Sequence, residues 1–246
     1  MSDINIIIPA RLGSTRLPRK MVADVNGIPL IIRTLNSAKS ANLGRVIVAC
    51  DSEEIADLVN KNDGEAIITS PDLPSGTDRV YAAAIEAGIK NGIIVNVQGD
   101  VPFVDPIFIE ESARLCAMDG VDIATPIVKI NDDSYTIDSV VKPVVSFYSE
   151  KYAKALYFSR AQVPYGGPFY HHVGVYAYKF EALEKFVSLE ASSLEKSERL
   201  EQLRALENGM SIHTVLCDVD TPISVDTEED LRKAIAFGER LCRNSQ

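Results

Sequence analysis

The chain lacks the two commonest phosphate-binding signatures. It has neither GxxxxGK(S/T) nor GxGxxG, so it is neither a P-loop protein nor a bearer of the dinucleotide fingerprint. Its four cysteines (Cys50, Cys116, Cys217 and Cys242) are far apart, with no CxxC and no Cys/His metal spacing. They read as buried free thiols, which suits a reducing compartment. There is no internal repeat, low-complexity tract or disordered linker. With no signal peptide, lipidation motif or long apolar span, the expectation is a soluble cytoplasmic protein without a membrane partner. Positive charge is also scarce: the formal net charge is −10, which argues against a duplex nucleic-acid partner.

What is present is a core-forming composition and one concentrated basic loop. At 246 residues and 46% hydrophobic content the chain can bury a substantial interior. Strand-like runs alternate with helix-like ones. The strand candidates are Ile4 to Ile8 (ended by Pro9), Arg45 to Ala49, Glu65 to Thr69 and Gly92 to Val97. Helical character falls at Pro29 to Ala38, Glu53 to Val59 and Asp78 to Ala87. Asp51 can cap the second helix, with Glu54 completing a capping box. This βαβα order predicts an α/β fold, a Rossmann-like and mostly parallel sheet with helices on both faces. From about 123 to 178 strand-like segments dominate (Val140 to Tyr148, Ala155 to Phe158, Val173 to Tyr178), as in a smaller β-rich insert within one domain spanning 1–246. Phe180 to Val187 and Lys196 to Glu207 read as helices, Asn208-Gly209 as a stop, Ile212 to Leu216 as a strand, and Thr227 to Leu241 as a closing amphipathic helix capped by Thr227.

The basic loop follows the first strand: Pro9, Ala10, Arg11, Gly13, Ser14, Thr15, Arg16, Arg19 and Lys20. Free backbone N–H groups with convergent cations make a polyphosphate cradle, although a solvated basic loop reads equally well on these residues alone. Ligands of parallel sheets sit beyond the C-terminal strand ends, where this loop and the Gln98-Gly99-Asp100 turn both fall. A carboxylate there is placed for Mg2+, or simply caps the turn.

Further motifs carry a resemblance. PAR-x-x-S-x-R-L-P-x-K over 9–20, SGTDR over 75–79, QGD over 98–100, YFSR over 157–160, HVGVY over 172–176, LEQLR over 200–204 and VDTEEDL over 225–231 occur in that order. Together they resemble the 3-deoxy-manno-octulosonate (Kdo) cytidylyltransferases, the CMP-Kdo synthetase family. That resemblance implies a nucleotidyltransferase fold and a reaction joining CTP to a keto sugar acid, with release of pyrophosphate, for lipopolysaccharide biosynthesis. It implies a nucleotide site of Pro9, Ala10, Arg11, Ser14, Arg16, Lys20, Ser75, Gly76, Thr77, Arg79, Gln98 and Gly99. Asp100 and Asp226 would bind Mg2+, and Lys20 and Arg11 would join them in catalysis. Arg160, His172, Tyr176, Glu201 and Gln202 would bind the sugar acid, Arg160 through its carboxylate. The β-rich region would join two copies in a homodimer.

The chain departs from the family pattern at several points. Arg19 stands where the family has glycine, Val101 where it has glutamate, Asp78 where it has glutamate and Ser224 where it has glycine. Those near the expected substrate, Val101, Ser224 and a short Pro164 to Pro168 loop, leave the 8-amino-3,8-dideoxy analogue of Kdo as a rival substrate. A sialic-acid cytidylyltransferase and a non-catalytic nucleotide-binding regulator are the alternative functions.

Overall fold

A computed structural model describes residues 3–244. In chain order the strands are β1 Ile4–Ala10, β2 Asp24–Val25, β3 Ile28–Pro29, β4 Arg45–Cys50, β5 Glu65–Ile68, β6 Ile93–Val97, β7 Ile123–Lys129, β8 Lys142–Phe147, β9 Tyr152–Ser159, β10 Tyr170–His172, β11 Val175–Lys179 and β12 Ile212–Leu216. The helices are α1 Leu30–Ser40, α2 Glu53–Asn60, α3 Gly76–Glu86, α4 Pro106–Cys116, α5 Phe180–Ser188, α6 Ser193–Glu198, α7 Leu203–Glu207 and α8 Glu228–Asn244. The class is α/β, as the alternation predicts. Among the described residues no helix is long and apolar enough to cross a membrane.

The chain divides into two compact units. The first comprises Asn5–Lys90, Asn96–Pro106 and the C-terminal segment from Pro222. Its centre is a parallel ladder in which β1 pairs with β4 and β4 with β5. Ile6, Ile7 and Ile8 are fully buried, as are Ile47 and Val48 beside them, which is why both segments are continuous apolar runs. Pro9 does not end β1. It stays in register opposite Ala49, because a proline at a strand end forfeits one donor and keeps its carbonyl. The start of α2 also differs from expectation. Ser52, not Asp51, is the cap, its hydroxyl accepting from the Ile55 N–H at 3.2 Å. Asp51 instead accepts from the Leu12 N–H of the basic loop at 2.9 Å, so a tertiary bond to an orphan donor claims the carboxylate.

The second unit comprises Asn91–Val95 and Ile107–Thr221 with the N-terminal end. Its strand order is β11-β7-β12-β9-β8, with β10 also on β7. β7 and β12 are parallel and the remaining pairs are antiparallel. The unit is not purely β. It holds most of α4, an amphipathic helix absent from the sequence reading, and α5 to α7. The expected helix Lys196 to Glu207 is two helices. Arg199 adopts left-handed backbone (φ 56°, ψ 46°) at the end of α6, and the tertiary bonds of Glu198, described below, outweigh the helical tendency of the stretch. Among the cysteines, Cys50, Cys116 and Cys217 are buried free thiols, while Cys242 is exposed on α8. Burial pushes the Cys116 thiol up to about 12, which leaves it unreactive.

Gly99 marks a close backbone approach in the first unit. A Cβ there would lie 2.6 Å from the Pro9 carbonyl oxygen, a backbone atom with little room to yield. Gly99→Ala is therefore expected to destabilise the protein by about 2 kcal/mol, read as a lower midpoint in urea unfolding with an unchanged slope.

Candidate active site

The basic loop leaves β1 at Ala10 and is anchored by buried Leu17 and by the Leu12–Asp51 hydrogen bond. It ends in a short 3-10 turn, Lys20–Val22, preceded by Arg19 in left-handed backbone (φ 57°). That torsion is the one glycine adopts at no steric cost, which accounts for the residue the related pattern carries here. The Arg19 guanidinium pairs with Glu54 on α2 and so is drawn off toward that helix.

Lys20, only 7% exposed, is the hub. Its ammonium donates to Asp100 Oδ2 at 2.7 Å and to Asp226 Oδ1 at 3.0 Å. Burial alone would lower its pKa, but attraction and hydrogen bonding to Asp100, then to Asp226, outweigh this and raise it. Arg16 reaches the same Asp226 oxygen at 3.0 Å from the solvent side. Asp100 is presented by the turn after β6, and the Val225 N–H donates to the Asp100 carbonyl at 2.9 Å, which lays the segment before α8 beside it. Asp226 is not a helix cap. Thr227 fills that role, accepting from the Asp230 N–H at 3.2 Å, while Asp230 Oδ2 accepts from the N–H groups of Asp226 and Thr227. The Asp226 carboxylate is thus left to the cations.

A cleft of about 310 Å3 opens over this cluster. Of the expected nucleotide residues, Pro9, Ala10, Arg11, Ser14, Arg16, Lys20, Ser75, Gly76, Arg79, Gln98 and Gly99 line it, with Asp100 and Asp226; Thr77 does not, being buried in α3. Two of these side chains also have structural duties. The Ser75 hydroxyl caps α3, accepting from the N–H groups of Thr77 and Asp78 at 3.1 and 3.2 Å. The Arg79 guanidinium is buried and donates to Thr69 Oγ1 at 2.6 Å and the Ser70 carbonyl at 3.2 Å. Val101, in the position of the related glutamate, is buried in apolar packing.

The second unit carries the other group. His172 sits buried at the end of β10, its ring edge-on to Phe158 and tilted against Tyr176 with centroids 5.1 and 5.2 Å apart. Its Nε2 lies 2.9 Å from Thr125 Oγ1, and that hydroxyl also has the Val175 carbonyl at 2.8 Å. A carbonyl only accepts, so the hydroxyl proton points there and the histidine Nε2–H donates to Thr125 Oγ1. Nδ1 is then the bare, accepting nitrogen. Burial holds the ring neutral, lowering its pKa to about 3. Burial and the nearby Glu201 charge raise the Tyr176 phenol, so it too stays protonated. Gln202 is 5% exposed, and its buried Nε2 finds no hydrogen-bond partner among the described residues.

Arg160 follows β9. Its guanidinium donates to the carbonyls of Glu198 (3.1 Å) and Asp138 (3.1 Å), with no carboxylate bonded to it among the described residues. Two charged neighbours escaped the sequence reading. The Glu198 carboxylate accepts from the Ser159 hydroxyl at 2.8 Å, the Arg160 N–H at 3.0 Å and the Tyr157 hydroxyl at 3.3 Å. Lys142 is fully buried, its ammonium donating to the carbonyls of Ile137 and Arg160. The signal for Lys142 was a lone cation inside the apolar run Val140 to Val145; for Glu198 the sequence offers none.

An α/β fold whose basic loop and two aspartates, Asp100 after β6 and Asp226 before α8, line one cleft is that of a nucleotidyltransferase, and comparison with known proteins narrows the class. The cytidylyltransferase family pattern matches residues 5–212. The 3-deoxy-manno-octulosonate cytidylyltransferase of Parvibaculum lavamentivorans is 48% identical over 235 residues, covering 94% of this chain and 91% of that protein. Its namesake from Paramagnetospirillum magneticum is 48% identical over 237 residues, covering 94% and 96%. The solved structure of CMP:2-keto-3-deoxy-manno-octonic acid synthetase complexed with CTP superposes with a TM-score of 0.89 at 33% identity, over 97% of this chain and 99% of that one. The chain belongs to the cytidylyltransferase family, among the 3-deoxy-manno-octulosonate cytidylyltransferases.

The Lys20 cluster makes a pH prediction. A lysine whose folded-state pKa is raised stabilises fully below its unfolded value, near 10.5, and this contribution is lost as pH rises through the folded value. Stability measured by urea unfolding should fall as pH rises above about 10.5, and Lys20→Met should remove this alkaline slope.

Proposed function

We propose that the protein activates Kdo with CTP, giving CMP-Kdo and pyrophosphate, as the names of its relatives describe. The observation that carries this reading is the Lys20–Asp100–Asp226 cluster inside a cleft lined by the basic loop. The sugar anomeric hydroxyl attacks the α-phosphorus, giving its proton to solvent as the P–O bond forms, and pyrophosphate leaves with the electron pair of the broken bond between the α-phosphorus and the bridging oxygen. Arg11, Arg16 and Lys20 balance charge on the phosphate oxygens, and Ser75, Gly76 and Gln98 face the base. No covalent nucleophile is called for, since positioning and charge supply the help.

Asp100 and Asp226 fit a divalent cation, since one buried ammonium already reaches both carboxylates. They would hold Mg2+, with phosphate oxygens and water as its other ligands. Bound there, the ion would polarise the phosphates and lower the pKa of a coordinated hydroxyl.

On the sugar side, the carboxylate pairs with Arg160, whose guanidinium has carbonyl partners only. Nδ1 of His172 accepts from a sugar hydroxyl and Gln202 Nε2 donates to one. Tyr176 and Glu201 complete this group. A homodimer joined through the β-rich region follows from the same resemblance, and exposed Phe147, Tyr148 and Leu156 on β8 and β9 and just beyond supply apolar surface for it.

Pyrophosphate release measured with CTP, Mg2+ and either Kdo, 8-amino-Kdo or sialic acid tests the assignment. Kdo should give the highest kcat/KM; preference for sialic acid, or no turnover with any of the three, would overturn it. Asp100→Ala should fold normally, with an unchanged circular dichroism spectrum, and lose more than about 100-fold in kcat.

A further inference from the structure

The Arg160 peptide is held on both sides by charge, the fully buried Lys142 ammonium and the half-buried Glu198 carboxylate. Its N–H donates to the Glu198 carboxylate at 3.0 Å, and its carbonyl accepts from the Lys142 ammonium. Lys142 faces Ser159 across the antiparallel β8–β9 pair and reaches past it to Arg160. It also donates to the carbonyl of Ile137 at 3.1 Å, next to Asp138, whose carbonyl receives the Arg160 guanidinium.

A fully buried ammonium held by carbonyls, with no ion-paired carboxylate among the described residues, is a costly arrangement. Fastening two carbonyls for stability alone does not require a charge. What the charge adds is a rigid donor joining the 137–138 backbone to the Arg160 backbone, the two segments that fix where the guanidinium lies. The second cation also adds positive potential around Arg160.

We infer that Lys142 and Glu198 are positioning residues for the sugar-acid site, clamping the Arg160 peptide so that its guanidinium meets the substrate carboxylate in a fixed orientation. This rests on the reading of Arg160 as the carboxylate-binding residue. Neither clamp residue touches substrate, so both act through Arg160.

A double-mutant cycle tests it, with steady-state kinetics in CTP, Mg2+ and Kdo for wild type, Lys142→Met, Arg160→Ala and the double variant. Methionine keeps the volume of Lys142 and removes its charge. Lys142→Met should raise KM for Kdo at least tenfold while leaving KM for CTP within twofold. In the Arg160→Ala background the same substitution should add less than twofold. Additive losses, an unchanged KM for Kdo, or equal losses for both substrates would overturn the clamp and leave Lys142 a packing residue. Should Lys142→Met fail to fold, Glu198→Gln takes its place in the cycle with the same criteria. Arg160→Ala alone separates the two readings. If it leaves KM for Kdo unchanged, the carboxylate assignment itself fails; if it raises that KM and the cycle is additive, only the clamp fails.

Discussion

One ammonium group holds the first unit's functional end together. Lys20, Asp100 and Asp226 lie 80 and 206 residues apart along the chain, and each belongs to a different local structure: a 3-10 turn, a strand-end turn and the lead into the last helix. Bringing two carboxylates close costs electrostatic free energy unless a cation lies between them. The fold supplies that cation from its own sequence. The same requirement explains why Thr227 and Asp230, rather than Asp226, cap α8.

The two units present opposite chemistry. The cleft of the first is rich in cations, and its backbone is brought close at Gly99. The group in the second unit is buried and mostly neutral: His172 is held to one tautomer, Tyr176 is kept protonated, and the amide of Gln202 is pointed without a partner. A triphosphate calls for charge compensation at an open surface. A sugar ring calls for directed hydrogen bonds in a dry place, where each is stronger.

Much of the fold was legible because burial leaves a periodic trace. β1, β4 and β6 each carry a continuous apolar run of three or more residues, and the class followed from their alternation with helices. Boundaries fared less well. Pro9 looked like a stop because sequence shows a missing donor but not the ladder it would leave. Asp51 looked like a cap because Leu12, its true partner, lies 39 residues away. The helix break at Arg199 was invisible for the same reason: the forces that turn the chain there come from Tyr157 and Ser159 on β9 and from Arg160 just beyond it. The active-site candidates were legible only through motif resemblance, since no spacing rule links Lys20 to Asp226. Lys142 and Glu198 fell outside those motifs and appeared only once the backbone of Arg160 had neighbours.

Arg19 carries a wider lesson. A small residue conserved in a ligand-binding loop is commonly taken as room made for the ligand. At this position the demand comes from the chain's own torsion, and the side chain, once tolerated, swings away to Glu54. A bulky residue can therefore occupy a place in the basic loop without crowding the cleft that the loop lines. What the site asks of that residue is willingness to bend, and arginine meets it by leaning on a neighbouring helix.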